Sequence, residues 1–188
     1  MKKSLLGLSV ALLFSGAAFA KSPSWDLVEL SYVKAEIDDT DLEPDGFGLS
    51  GSVLVTENIF LMADYNALSD DISGIDLDLD TISAGVGYRY GVSPTTDLFA
   101  SISYEYADAS ALGISESDNG YSLAVGARSM LTDAFELGGS ISYVDIEEDD
   151  TTFTIEGRYY FTDNFAAGVS YGVAEDADLY TVSLRYAF

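Results

Sequence analysis

Residues 180–188 split cleanly into two faces. Tyr180, Val182, Leu184, Tyr186 and Phe188 fall on one, and Thr181, Ser183, Arg185 and Ala187 on the other. Alternation with a period of two is how a half-buried strand reads, because successive side chains leave a strand on opposite sides. The pattern recurs in Phe153, Ile155, Gly157, Tyr159 and Phe161 against Thr154, Glu156, Arg158 and Tyr160, and in Ile82, Ala84, Val86, Tyr88 and Tyr90 against Thr81, Ser83, Gly85, Gly87 and Arg89. Helical periodicity is absent from residue 25 onward. Segments near 25–36, 46–55, 60–68, 81–91, 98–107, 120–131, 135–144, 152–161, 165–173 and 179–188 give ten predicted strands, with eight as the alternative count.

Two features turn these strands into a membrane fold rather than a soluble β-sandwich. Aromatics, 13 Tyr and 10 Phe in 188 residues, gather at the ends of the apolar faces, as interfacial girdles require, while the opposite face is polar and glycine-rich where a sandwich core would be aliphatic. The connections 56–59, 93–97, 132–134 and 162–164 are short, and the other five read as longer acidic loops. Short turns on the periplasmic side and longer loops outside are the asymmetry of outer-membrane barrels. No segment after residue 20 approaches the length of a spanning helix, so a membrane reading requires a closed barrel. The expected fold is all-β: a single antiparallel transmembrane up-and-down β-barrel located in the outer membrane.

Lys2 and Lys3, the apolar run 5–14 and the ending Ala18-Phe19-Ala20 have the three regions of a secretory signal peptide. Residues 1–20 are therefore expected to be removed, leaving residues 21–188 as the barrel. With Lys2 and Lys3 gone, 6 basic residues face 32 acidic ones, and the net charge moves from −24 to −26.

The chain has neither histidine nor cysteine. Thiol nucleophiles, His-ligated metals and His-dependent triads are excluded, and with them the usual machinery of barrel lipases and proteases. No cofactor is expected and no enzymatic role is read. The segment Asp41-Leu42-Glu43-Pro44-Asp45-Gly46 imitates the start of an EF-hand but fails at its twelfth position, Ser52, and joins two strands instead of two helices. Diffuse divalent-cation binding by the acidic loops is the milder expectation, and nucleic acid is a poor partner for so acidic a surface.

The four arginines, Arg89, Arg128, Arg158 and Arg185, fall on inward faces of strands that run toward the short turns. Three stand four residues before the Ser or Thr of their turn, which predicts one shared depth. Glu29, Asp64, Glu105, Glu136 and Glu156 also fall inward, so a lumen charge network is expected, read either as a plug of ion pairs or as a selectivity ring. Ten strands enclose little more space than side chains fill, which favours the plug.

The opening Met1-Lys2-Lys3-Ser4-Leu5-Leu6, the strand Val28-Glu29-Leu30-Ser31-Tyr32-Val33, the turn Ser93-Pro94-Thr95-Thr96-Asp97-Leu98 and the stretches Asn119-Gly120-Tyr121-Ser122 and Val125-Gly126-Ala127-Arg128-Ser129 resemble the small outer-membrane barrels of the sulfation-dependent quorum factor family. The resemblance spans most of the chain. It implies an outer-membrane β-barrel of Gram-negative bacteria, loosely linked to signalling, biofilm or virulence. Likeness to barrels in general implies that the closing strand, with Tyr186 and Phe188, is read by the barrel-assembly machinery, and that outer-membrane lipid and lipopolysaccharide surround the protein. The expected function is a non-enzymatic barrel with a largely filled charged lumen and a structural or cell-surface role. A narrow cation-favouring channel is the alternative, and an adhesin or signalling factor the second.

Overall fold

Alternation along the chain becomes ten strands: β1 (Leu27–Ile37), β2 (Asp45–Leu54), β3 (Ile59–Ile72), β4 (Ile75–Ser93), β5 (Thr96–Ala111), β6 (Ile114–Met130), β7 (Phe135–Asp145), β8 (Asp149–Tyr160), β9 (Phe165–Val173) and β10 (Ala177–Ala187). This is a computed structural model, and it describes residues 21–40, 42–72, 75–112, 114–147 and 149–188. The expected signal peptide lies outside the described residues. Each strand pairs antiparallel with its neighbours in sequence, and β1 pairs with β10 to close an up-and-down barrel. The count is ten, not eight. Closure leaves the membrane-spanning part of the wall without an edge and satisfies its backbone groups within the sheet, which a membrane demands.

Outward residues meet lipid. Val28 and Leu30 on β1 and Val182 and Leu184 on β10 are exposed and apolar, with aromatics above and below them. At the turn end Phe165 packs at a tilt against Tyr186, with ring centroids 4.9 Å apart, and Tyr186 stacks against Phe188 at 6.2 Å. At the opposite end tyrosines donate to aspartates on the neighbouring strand: Tyr32 to Asp45 (2.6 Å), Tyr65 to Asp80 (2.7 Å) and Tyr171 to Asp178 (2.8 Å). A ring buried in the interface with its hydroxyl in the wet layer is the preferred placement of tyrosine in a girdle.

Strands β3 to β6 run longer than the alternation predicts. Acidic positions 70, 71, 76, 78, 80, 108, 116 and 118, expected in loops, lie within strands, and the ladders continue to Ile72↔Ile75 and Ala111↔Ile114. Most of the two long acidic loops expected there belongs to the paired strands of extended hairpins. Their composition misled because the rule for the outer face inverts beyond the membrane. Above the girdle the outward side meets water, so Asp78, Asp80 and Asp108 take it, while Leu77, Leu79, Ala107 and Ala109 occupy the inward parity.

The closed wall has a consequence on gels. The mature protein is expected to migrate faster unheated than boiled in detergent electrophoresis, because the barrel resists detergent until heat opens it. Recovery as a soluble periplasmic species with a single heat-independent mobility would contradict the fold.

Candidate functional site

The turn-side half of the lumen is filled by an aromatic layer with a charge network beside it. Trp25 precedes β1, and the Ser52 hydroxyl donates to its carbonyl (2.6 Å). Its indole turns inside the barrel, only 5% exposed, and packs at a tilt on Phe60 (centroids 4.5 Å apart) and edge-on to Phe99 (5.5 Å). A Cβ at Gly87 would collide with the Phe60 ring, so this position of β4 has to lack a side chain for the layer to form. The indole N–H donates to Asp97 (2.7 Å), which also pairs with Arg89 (3.1 Å), and the Arg128 guanidinium lies over the indole at 4.7 Å.

The network is centred on Glu136, fully buried on β7. It accepts from Arg128 Nε (2.7 Å), Arg158 Nη1 (3.3 Å) and the Tyr160 hydroxyl (2.9 Å), and Arg185 Nη1 stands 3.7 Å away. Arg158 also reaches Glu156 (3.1 Å) and Glu29 (3.1 Å), and Arg185 Nε reaches Glu29 (2.7 Å). Three arginines and three glutamates make a neutral cluster linking β6, β7, β8, β10 and β1. Small residues create its space: a Cβ at Gly138 would stand 2.5 Å from Glu156 Oε1, and Ala166 and Gly168 face inward on β9 between β8 and β10. Charge-assisted hydrogen bonds of this kind tolerate little misplacement, so the cluster fixes the register of the strands that carry it.

The structure divides the nine predicted lumen charges. Arg128, Arg158, Arg185, Glu29, Glu136 and Glu156 come together. Arg89, expected at the same depth, instead pairs with Asp97 beside Trp25. Its β4 has an irregular register near the turn, between Gly91 and Ser93, so spacing from that turn does not transfer to it. Asp64 and Glu105 find no arginine. They lie on the opposite wall, where the Ser83 hydroxyl donates to Asp64 (3.1 Å) and that of Ser122 to Glu105 (2.5 Å). Tyr186 and Phe188 face outward on the lipid side, and the Phe188 N–H donates to Asp26 O (3.0 Å), joining the two chain ends at one rim.

Sequence reasoning missed Trp25, Asp97, Phe60, Phe99 and Tyr160. Alternation alone makes Trp25 the first residue of a strand and Asp97 part of a turn. Parity carries the missing signal: with Leu98 outward, Asp97 and Phe99 must both face in. The EF-hand imitation dissolves, since Glu43 pairs with Lys34 (2.7 Å) and Asp45 holds Tyr32; Asp41 lies outside the described residues.

The family model for the outer membrane protein beta-barrel domain matches residues 6–172. The chain belongs to this family. Its fold is similar to that of the NanC porin (TM-score 0.57, 7% identity, covering 86% of this chain and 100% of that one). Comparable likeness extends to the KdgM porin in complex with disordered oligogalacturonate (0.51, 13%, 85% and 99%) and to the outer membrane protein OprG from Pseudomonas aeruginosa (0.51, 12%, 89% and 98%). At such identities the likeness establishes the fold alone. No curated protein sequence matches the chain. Family and fold together place the protein in the outer membrane.

Proposed function

We propose that this is a non-enzymatic barrel, closed to ion flow, whose work is done at the cell surface. The observation that carries the reading is the filling of the turn-side lumen by Trp25, Phe60 and Phe99 with the Glu136-centred ion pairs beside them. A lumen so occupied acts as a structural core, and the network replaces the apolar core that a soluble protein would use. The signalling link implied by the quorum factor resemblance maps to no side chain here. Outer-membrane lipid and lipopolysaccharide are the proposed surroundings, with divalent cations bridging the outward Asp45, Asp80 and Asp178 to lipid phosphates.

Planar-bilayer recording on the refolded protein tests the reading. Wild type is expected to give no discrete current steps. The second reading, a narrow cation path, draws on Asp64 and Glu105, which face the lumen without a cationic partner among the described residues. It expects steps in wild type and a further shift toward cations when Arg158→Ala removes one positive charge.

A further inference from the structure

Strand β6 is paired with β5 from Ser129↔Thr96 up to Ile114↔Ala111, but with β7 only from Tyr121↔Asp145 downward. Residues 114–120 therefore have a neighbour strand on one side only among the described residues. The boundary is set by the register: the β6–β7 ladder ends at Tyr121↔Asp145, and the chain leaving β7 passes so close to Gly120 that a Cβ there would collide with the Asp145 carbonyl.

The open groups can be identified by counting. Met130 N–H donates to Thr95 O on the β5 side (2.8 Å), and Leu131 N–H to Phe135 O on the β7 side (2.8 Å). Main-chain groups alternate in direction along a strand, and the β5–β6 register runs without a bulge. Ser115, Ser117 and Asn119 accordingly turn N–H and C=O toward the vacant side. On the inward parity the edge carries Ile114 (68% exposed), Glu116 and Asp118. Leu112, 75% exposed, sits at the hairpin tip with a φ of 54°. The other face is polar, with the Ser115 hydroxyl held by Asp108 (2.9 Å).

We propose that this edge is a docking site for an extended cationic segment of a partner protein, added as a further strand beside β6. Main-chain bonds to 115, 117 and 119 supply the pairing, while alternate basic side chains meet Glu116 and Asp118 and an apolar one covers Ile114. Charge chooses the occupant. Among the described residues the one cation at this end is Lys34, and it is held by Glu36 and Glu43 on the far wall. A second copy would set Glu116 and Asp118 against their own kind, so the edge repels self-pairing by the charge device that natural edge strands use. The proposal rests on the surface role above, because it needs this end to face the exterior.

The test uses the full mature chain refolded in detergent micelles and a fluorescent nine-residue peptide alternating Thr with Lys and Val, read by anisotropy. Saturable binding is expected. Ser117→Pro removes one open donor and leaves the β5 ladder intact, since that N–H does not face β5; it is expected to weaken binding about tenfold. The same peptide N-methylated at alternate residues should weaken comparably against unaltered protein, which controls for any folding defect. Glu116→Lys with Asp118→Lys should abolish binding. Absence of binding, or equal binding of the methylated peptide or of a charge-matched scrambled one, overturns the proposal. Current steps from the same preparation would instead overturn the closed-lumen reading, so the two failures are separable.

Discussion

Replacing Glu136 with alanine is expected to lower the unfolding midpoint of the refolded barrel more than any other single change in the lumen. The wild-type cluster balances three arginines with three glutamates; without Glu136, Arg128 loses its carboxylate partner and Tyr160 its acceptor. Breaking a buried pair by removing one partner costs about 3–5 kcal/mol, and lumen water would bring this toward the lower end. Arg158→Ala should fall in the same range for a different reason. Glu156 then keeps no cation, whereas Glu29 keeps Arg185. Adding Glu156→Ala to Arg158→Ala removes the orphaned charge, so the double variant should lose less than the sum of the two singles. Urea titration of the wild type, Glu136→Ala, the two single variants at 156 and 158 and their double in one detergent would decide it. Additive losses would mean that the ion pairs act independently of one another.

Trp25→Ala carries the second large effect, and it is visible in two measurements. The indole is covered by Phe60, Phe99 and Arg128, and truncating a buried aromatic side chain costs about 3–5 kcal/mol. It also removes the only residue of the segment before β1 whose ring blocks the turn-side lumen among the described residues. Discrete current steps are expected where wild type is silent. Trp25→Phe keeps a ring against Phe60 but loses the bond to Asp97, so it should cost about 1–3 kcal/mol and stay silent. An alanine variant with wild-type stability and no current would remove Trp25 from the account.

Periodicity made most of the wall legible, because one face of each strand meets lipid across the membrane. β9 was read to the residue, as 165–173, and β10 within two. The reading failed where the solvent changes. Asp71, Asp78, Asp80 and Asp108 keep the alternation of a strand but with acids outward, while Asp70, Glu116 and Asp118 take the inward parity, and acid-rich stretches between apolar runs look like loops. In the lumen, parity identified Arg128, Arg158, Arg185, Glu29, Glu136 and Glu156 as inward, but parity carries no information about which inward groups meet across the barrel. That depends on shear and on the small residues Gly138, Ala166 and Gly168, which open the space between them. Trp25 shares the inward parity of Leu27 and Glu29 but precedes the strand, and only the closed barrel shows that its ring fills the lumen against Phe60 and Phe99.

The 19 residues of β4 have one more consequence. At roughly 3.3 Å per residue and a tilt near 45°, such a strand rises about 45 Å, of which an apolar band of about 25 Å accounts for just over half. The hairpins of β3 to β6 therefore stand about 20 Å clear of the hydrocarbon, a modest stature at a cell surface. Sugar chains longer than that would overshadow the β6 edge, and shorter ones would leave it in view. With this end outward, as proposed above, the length of the cell's own sugar coat, rather than any moving part of the barrel, would set when a partner can reach the β6 edge.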